Sequence, residues 1–133
     1  MTDGAFEIPE GYADLLERPL IAHLATVRAD GAPQANPMWF GWDGEFVRFT
    51  NTRKRRKFQN VSTEPRVAVS INDPERPYRY LEVRGTVVRI EDDPEATFFM
   101  ELAERYGLEL DGPPADAPDR VIFVVRPEAT SKQ

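Results

Sequence analysis

The sequence predicts a mainly β protein: six antiparallel strands that close or nearly close into a small barrel, with helices over its openings. Three observations carry this. Apolar, β-branched runs of strand length recur, as in LIAHLATVR (20–28), RVAVSIN (66–72) and RVIFVVR (120–126). Asp-Gly pairs at Asp30-Gly31 and Asp43-Gly44 supply residues that tolerate the positive φ of hairpin turns. Only two stretches have the length and period of sound helices, so successive strands are joined mainly by tight turns, which favours an antiparallel sheet.

Taken in order, residues 1–10 read as a loosely held arm. Residues 11–17 can make one or two helical turns with Leu15 and Leu16 facing inward, ended by Pro19. The buried strand 20–28 turns at 29–32 and returns as 34–42, where Pro33 and Pro37 cannot donate ladder hydrogen bonds and mark an edge, a bulge or an exposed segment. After the second turn, 45–51 completes a three-stranded meander. Residues 54–63 form a helix with Phe58 and Val61 toward the sheet, and Pro65 lies past its end. Strand 66–72 and a proline-bearing loop lead to the long strand 78–90, in which Gly85 marks a bulge or a close backbone approach. Asp92-Asp93-Pro94-Glu95 starts a second helix that runs to about Tyr106 and presents Phe98, Phe99, Leu102 and Ala103 to the core. The loop 107–119 is longer than most connections and reads as a lid, an interface segment or a simply mobile stretch. Strand 120–126 is the last, and a polar tail follows from Pro127. With no repeat and no linker, residues 1–133 read as one domain.

Composition excludes several functions. With no cysteine and one histidine there is no disulfide, no thiolate nucleophile and no structural zinc set. No apolar run approaches the roughly 20 residues that span a bilayer, and the first residues lack a signal-peptide pattern, so a cytoplasmic protein without a membrane partner is expected. A net charge of −6 argues against a nucleic-acid partner. No Ser-His-Asp set, glycine-rich nucleotide fingerprint or metal-ligand spacing occurs, which assigns any chemistry to a bound cofactor.

One stretch departs from the acidic background. In FVRFTNTRKRRKFQNV (46–61) a strand passes through Thr50, Asn51 and Thr52 into five consecutive basic residues, 53–57. Such a run is often a solvated helix face. At a strand-to-helix junction, backbone N–H groups and cationic side chains can also converge on a phosphate or carboxylate. Helical neighbours two apart diverge, so only a subset of the run can meet one ligand, and Arg55 and Lys57 need not point the way Arg53 does. Thr50, Asn51 and Thr52 read either as ligand contacts or as loop residues with Thr52 capping the helix. His23, inside an apolar strand with Ile21 and Ala25 on its face, reads as a core residue or as a general base. Asn36, Met38, Trp39, Phe40 and Trp42 suit core packing, the wall of a flat-ring site or a dimer interface. Tyr78 and Tyr80 share one strand face with Glu82 and Arg84, where cross-strand packing is the plainer account.

The succession LATVRADGAPQANPMWFGWDGEFVRFTN, the basic RKRRK entering a helix, EPRVAVSI and YLEVRGTVVRIED resembles the pyridoxamine 5′-phosphate oxidase-like superfamily of split β-barrels, over about residues 12–127. The short length and the ending RVIFVVRPEATSKQ look most like the branch that uses the deazaflavin coenzyme F420. The resemblance implies an F420H2-dependent reductase acting on a small organic acceptor. An FMN-dependent oxidoreductase and a non-catalytic flavin-binding protein are its alternatives. It also implies a homodimer with cofactor sites between the subunits. The family's phosphate-binding cations fall on Arg55 and Lys57, with Thr50, Asn51 and Thr52 as the preceding loop. Gln34, Asn36, Pro37 and Met38 would lie along the ring, and Tyr78 and Tyr80 would line the cleft. Arg53, Lys54 and Arg56 would face the acidic tail of F420.

Overall fold

The computed structural model describes residues 6–133. The elements are α1 (Asp14–Glu17), β1 (Ala22–Val27), β2 (Pro33–Met38), β3 (Gly41–Trp42), β4 (Val47–Thr52), α2 (Arg56–Thr63), β5 (Arg66–Asp73), β6 (Arg76–Asp92), α3 (Thr97–Arg105) and β7 (Arg120–Lys132), with a 3-10 turn at Ala117–Asp119. The strands form one seven-stranded antiparallel sheet in the order β2-β1-β5-β6-β7-β4-β3. It curls around a core that includes Leu24, Phe40, Phe49, Val69, Leu81 and Phe123, each at most 1% exposed. Burial alternates along β4 and β5, so one face of each strand meets this core.

The expected fold class holds, with seven strands in place of six. The predicted strand 34–42 is two strands, β2 and β3, and the predicted meander is broken between them. The cause lies at Trp39-Phe40. Phe40 is fully buried, its N–H donates to the Tyr106 hydroxyl at 3.1 Å, and its carbonyl accepts from Arg105 Nε at 3.2 Å. Trp39 stacks on the Tyr106 ring, with centroids 5.0 Å apart. Side chains at the C-terminal end of α3 and just past it thus engage backbone groups that a continuing ladder would have used, and the chain crosses from one edge of the sheet to the other. β1 and β2 remain a hairpin, and Asp43-Gly44 still joins β3 to β4, with Gly44 at φ 94°.

Other boundaries also shift. The predicted second helix from Asp92 begins at Thr97, because the Asp93 carboxylate accepts the N–H groups of Thr97 and Phe98, both at 3.0 Å. The predicted polar tail is the second half of β7, which pairs with β6 as far as Leu81 opposite Lys132. Pro127 sits opposite Gly85, beside a register shift between Arg84 and Gly85. A proline lacks the ladder N–H, and a bulge is where a sheet tolerates it. At Gly85 a Cβ would run into the Arg126 carbonyl, the close backbone approach expected of a mid-strand glycine. Within the predicted N-terminal arm, Phe6 and Ile8 pack against the core, while residues 1–5 lie outside the described residues.

Candidate functional site

The corner between β4 and α2 contains the basic run, and the structure divides that run in two. Arg53 forms an ion pair with Asp92, and Lys54 with Asp119 at 3.2 Å. Arg55, Arg56 and Lys57 have no carboxylate within ion-pair distance among the described residues. Arg55 stands at the N-cap of α2 with extended backbone, φ −89° and ψ 152°, and its N–H donates to the Thr52 carbonyl at 3.2 Å. Arg55 and Lys57 line one cavity while Arg53 is turned to Asp92, so only a subset of the run meets one site, as expected. Arg55 shares the cavity with Lys57 from an extended backbone and not from a helical turn. No side chain caps this helix, so the expectation that Thr52 caps it fails: Thr52 is the last residue of β4 and is buried.

The cavity is about 210 Å³ and lies across the gap between the two ends of the sheet. Pro37 and Met38 come to it from β2, and Thr50, Asn51 and Thr52 from β4. These strands are far apart in hydrogen-bonding order, so their meeting here measures how far the sheet has curled. Arg120, at the start of β7 opposite Thr52, completes the wall.

The polar atoms are arranged for an anion. Partial burial holds the Lys57 ammonium below the ordinary lysine range, and the neighbouring Arg55 charge adds to the effect. Asn51 is 5% exposed, and its Oδ1 accepts the Thr52 N–H at 2.8 Å, which fixes the amide orientation. Its Nδ2 is then a buried donor with no partner. Buried donors are nearly always satisfied, so this amide is an unmet hydrogen-bonding demand on a residue that lines the cavity. The donor set of guanidinium, ammonium, amide and an uncapped helix start fits a phosphate group.

Other predicted site residues lie elsewhere. Gln34 donates to Asn36 Oδ1 at 2.9 Å and accepts from Asn60 of α2 at 3.2 Å, so these two side chains tie β2 to the helix. His23 is exposed on the outer face of β1, opposite Pro37 and Ser70, and does not line the cavity; the core reading for it fails. Tyr78 is 83% exposed, and Tyr80 exchanges backbone hydrogen bonds with Gln133. Neither tyrosine reaches the cavity within this chain. Trp39, Phe40 and Trp42 pack in or against the core and α3. Sequence reasoning missed Arg120: its position depends on the register of β7 against β4, and a lone Arg opening a strand announces nothing.

Size does not select this cavity. A cleft of about 840 Å³ between α3 and the loop after it is lined by Glu95, Glu101, Glu104, Glu109 and Asp111 and by no cation. It would repel a phosphate. No group of three or more His, Cys, Asp or Glu suited to a metal occurs among the described residues, and none of their helices is long and apolar enough to cross a membrane.

Comparison with known proteins agrees with the topology. A solved structure described as an F420 reductase is 60% identical, with a TM-score of 0.92 over 95% of this chain and 100% of that one. A conserved hypothetical protein from Mycobacterium tuberculosis is 24% identical, with a TM-score of 0.73 over 97% of this chain and 86% of that one. General stress protein 26 from Bacillus anthracis is 23% identical, with a TM-score of 0.69 over 90% and 88%. At those two identities the likeness concerns the fold alone. No curated protein matches the chain. The family model described as pyridoxamine 5′-phosphate oxidase matches residues 8–133, and the chain belongs to that family.

Proposed function

We propose that the protein is an F420H2-dependent reductase that grips its cofactor's phosphate at the β4–α2 corner. The observation that carries this is the pair Arg55 and Lys57, without a carboxylate among the described residues, lining one cavity with Asn51, whose buried amide is unsatisfied, in a chain 60% identical to a protein described as an F420 reductase. When bound, reduced F420 supplies a hydride for an electron-poor acceptor. This chain's residues bind and orient. Arg55 and Lys57 neutralise the phosphate, Asn51 Nδ2 donates to it, and Pro37 and Met38 offer an apolar wall. Arg56 is the remaining cation of the run without a carboxylate, and it is left for the acidic tail; Arg53 and Lys54 are already engaged.

A second copy of the chain completes the site in this reading. The outer sheet face carries exposed Ile21 and a cleft of about 420 Å³ lined by apolar residues such as Ala25, Val27, Pro33 and Ala68 together with Glu64, Arg66, Arg84 and Glu128, and Tyr78 is 83% exposed. A partner laid on that face would cover the cleft. Gel filtration at micromolar concentration should give the mass of a dimer; the mass of one subunit would contradict the shared site.

FMN is the second reading, because two cations and an amide suit a phosphomonoester as well as a phosphodiester. Fluorescence quenching titrations with F420 and FMN separate them. Tighter binding of F420 is expected, and tighter binding of FMN would overturn the first reading.

A further inference from the structure

Arg120 is the cation lining the pocket that already has a carboxylate. Its guanidinium donates to Asp116 Oδ1 at 3.0 Å and Oδ2 at 3.1 Å, and to Thr50 Oγ1 at 3.3 Å. It lies over the Phe99 ring, 4.4 Å from the centroid, and its side chain is 13% exposed. Asp116 belongs to the loop after α3 and does not itself line the cavity. The loop is held there further: the Asp119 carbonyl accepts the Arg53 N–H at 3.1 Å, the Asp119 carboxylate pairs with Lys54, and Ala117 is buried.

We propose that Asp116 sets the charge of the pocket by neutralising Arg120, so that a ligand meets two uncompensated cations and not three. This rests on the anion-pocket reading above. A bidentate pair directs the fork of the guanidinium at its carboxylate, and Thr50 takes another donor, which leaves Arg120 little to offer a ligand directly. Its charge still acts at a distance, and Asp116 cancels it there. Asp116 is thus a specificity-determining residue that acts through Arg120. It matches the pocket to a handle with a single phosphate and removes the advantage that a diphosphate or triphosphate would find in a third cation.

A charge cycle tests this by quenching titrations with FMN and with F420, at low and at high salt. Asp116→Asn should tighten binding about fivefold at low salt, the effect of one unit charge at a separation of several ångströms. Arg120→Gln should weaken it by about the same factor, because Asp116 is then uncompensated. The double variant should return to within about twofold of the wild type, and both single shifts should shrink at high salt. Circular dichroism and thermal melting recognise a misfolded Arg120→Gln, and the Asp116→Asn shift and its salt dependence then decide the proposal. If the double variant binds as weakly as Arg120→Gln, Arg120 touches the ligand and the proposal is overturned. If Asp116→Asn weakens binding at both salt concentrations, Asp116 only props the loop, and the proposal is again overturned. Arg55→Ala and Lys57→Ala in the same assay separate the two claims. Unchanged affinity in both would remove the anion pocket itself, while weakened affinity beside a failed cycle would remove only the role of Asp116.

Discussion

Arg53 and Lys54 sit next to Arg55 and Lys57 in the chain, yet the two pairs have different surroundings. The first pair meets Asp92 and Asp119, which extend the end of β6 and the loop before β7 toward it. The second pair faces a cavity with no carboxylate of its own, and burial already depresses the ammonium of Lys57. A run of like charge is therefore not one feature. Paired cations are already compensated, and unpaired ones carry an unmet electrostatic demand that a ligand can satisfy. The same contrast separates the small cationic cavity from the larger acidic cleft along α3, where volume is ample and the charge is wrong for a phosphate.

The comparison breaks most readily in the unpaired pair. Replacing either Arg55 or Lys57 by alanine should cost roughly 1–3 kcal/mol of cofactor affinity, the scale of a lost charge-assisted hydrogen bond. The double variant should abolish measurable quenching. Replacing Asn51 by alanine should weaken binding by about 1 kcal/mol, since it removes the donor. Isothermal titration gives both numbers. The pH profile sharpens the point. A bound anion favours the charged ammonium, so affinity is complete below the depressed pKa of Lys57 and is lost as pH rises through it. The fall should begin at lower pH than an ordinary lysine would give. Lys57→Arg should remove it, and Arg55→Ala, by lifting one cause of the depression, should move it to higher pH. The smallest effects belong to the paired cations. Arg53→Ala and Lys54→Ala should leave affinity within about twofold of the wild type, as exposed ion pairs contribute little.

The β4–α2 corner was legible in the sequence because everything that makes it is local: a strand ending in small polar residues, a cationic run and an amphipathic helix. The antiparallel β architecture was legible for the same reason, through Asp30-Gly31, Asp43-Gly44 and the alternating strands. What was not legible depends on distant partners. The break at Trp39-Phe40 exists because Arg105 and Tyr106, more than sixty residues later, engage the Phe40 backbone. The continuation of β7 past Pro127 depends on Gly85 opposite it. Arg120 and Asp116 become neighbours of the cavity only through the pairing of β7 with β4. His23 misled because its strand is apolar on average, while its own face is the outer one.

The central claim is that Arg55 and Lys57, the two cavity-lining cations without a carboxylate among the described residues, hold the phosphate of a redox ring. A crystal structure of the protein with F420, or with FMN, tests it most directly. The account predicts phosphate oxygens within hydrogen-bonding distance of the Arg55 guanidinium, the Lys57 ammonium and Asn51 Nδ2, with Arg53 and Lys54 still on Asp92 and Asp119. A ring bound elsewhere, with Arg55 and Lys57 turned to bulk solvent, would contradict it.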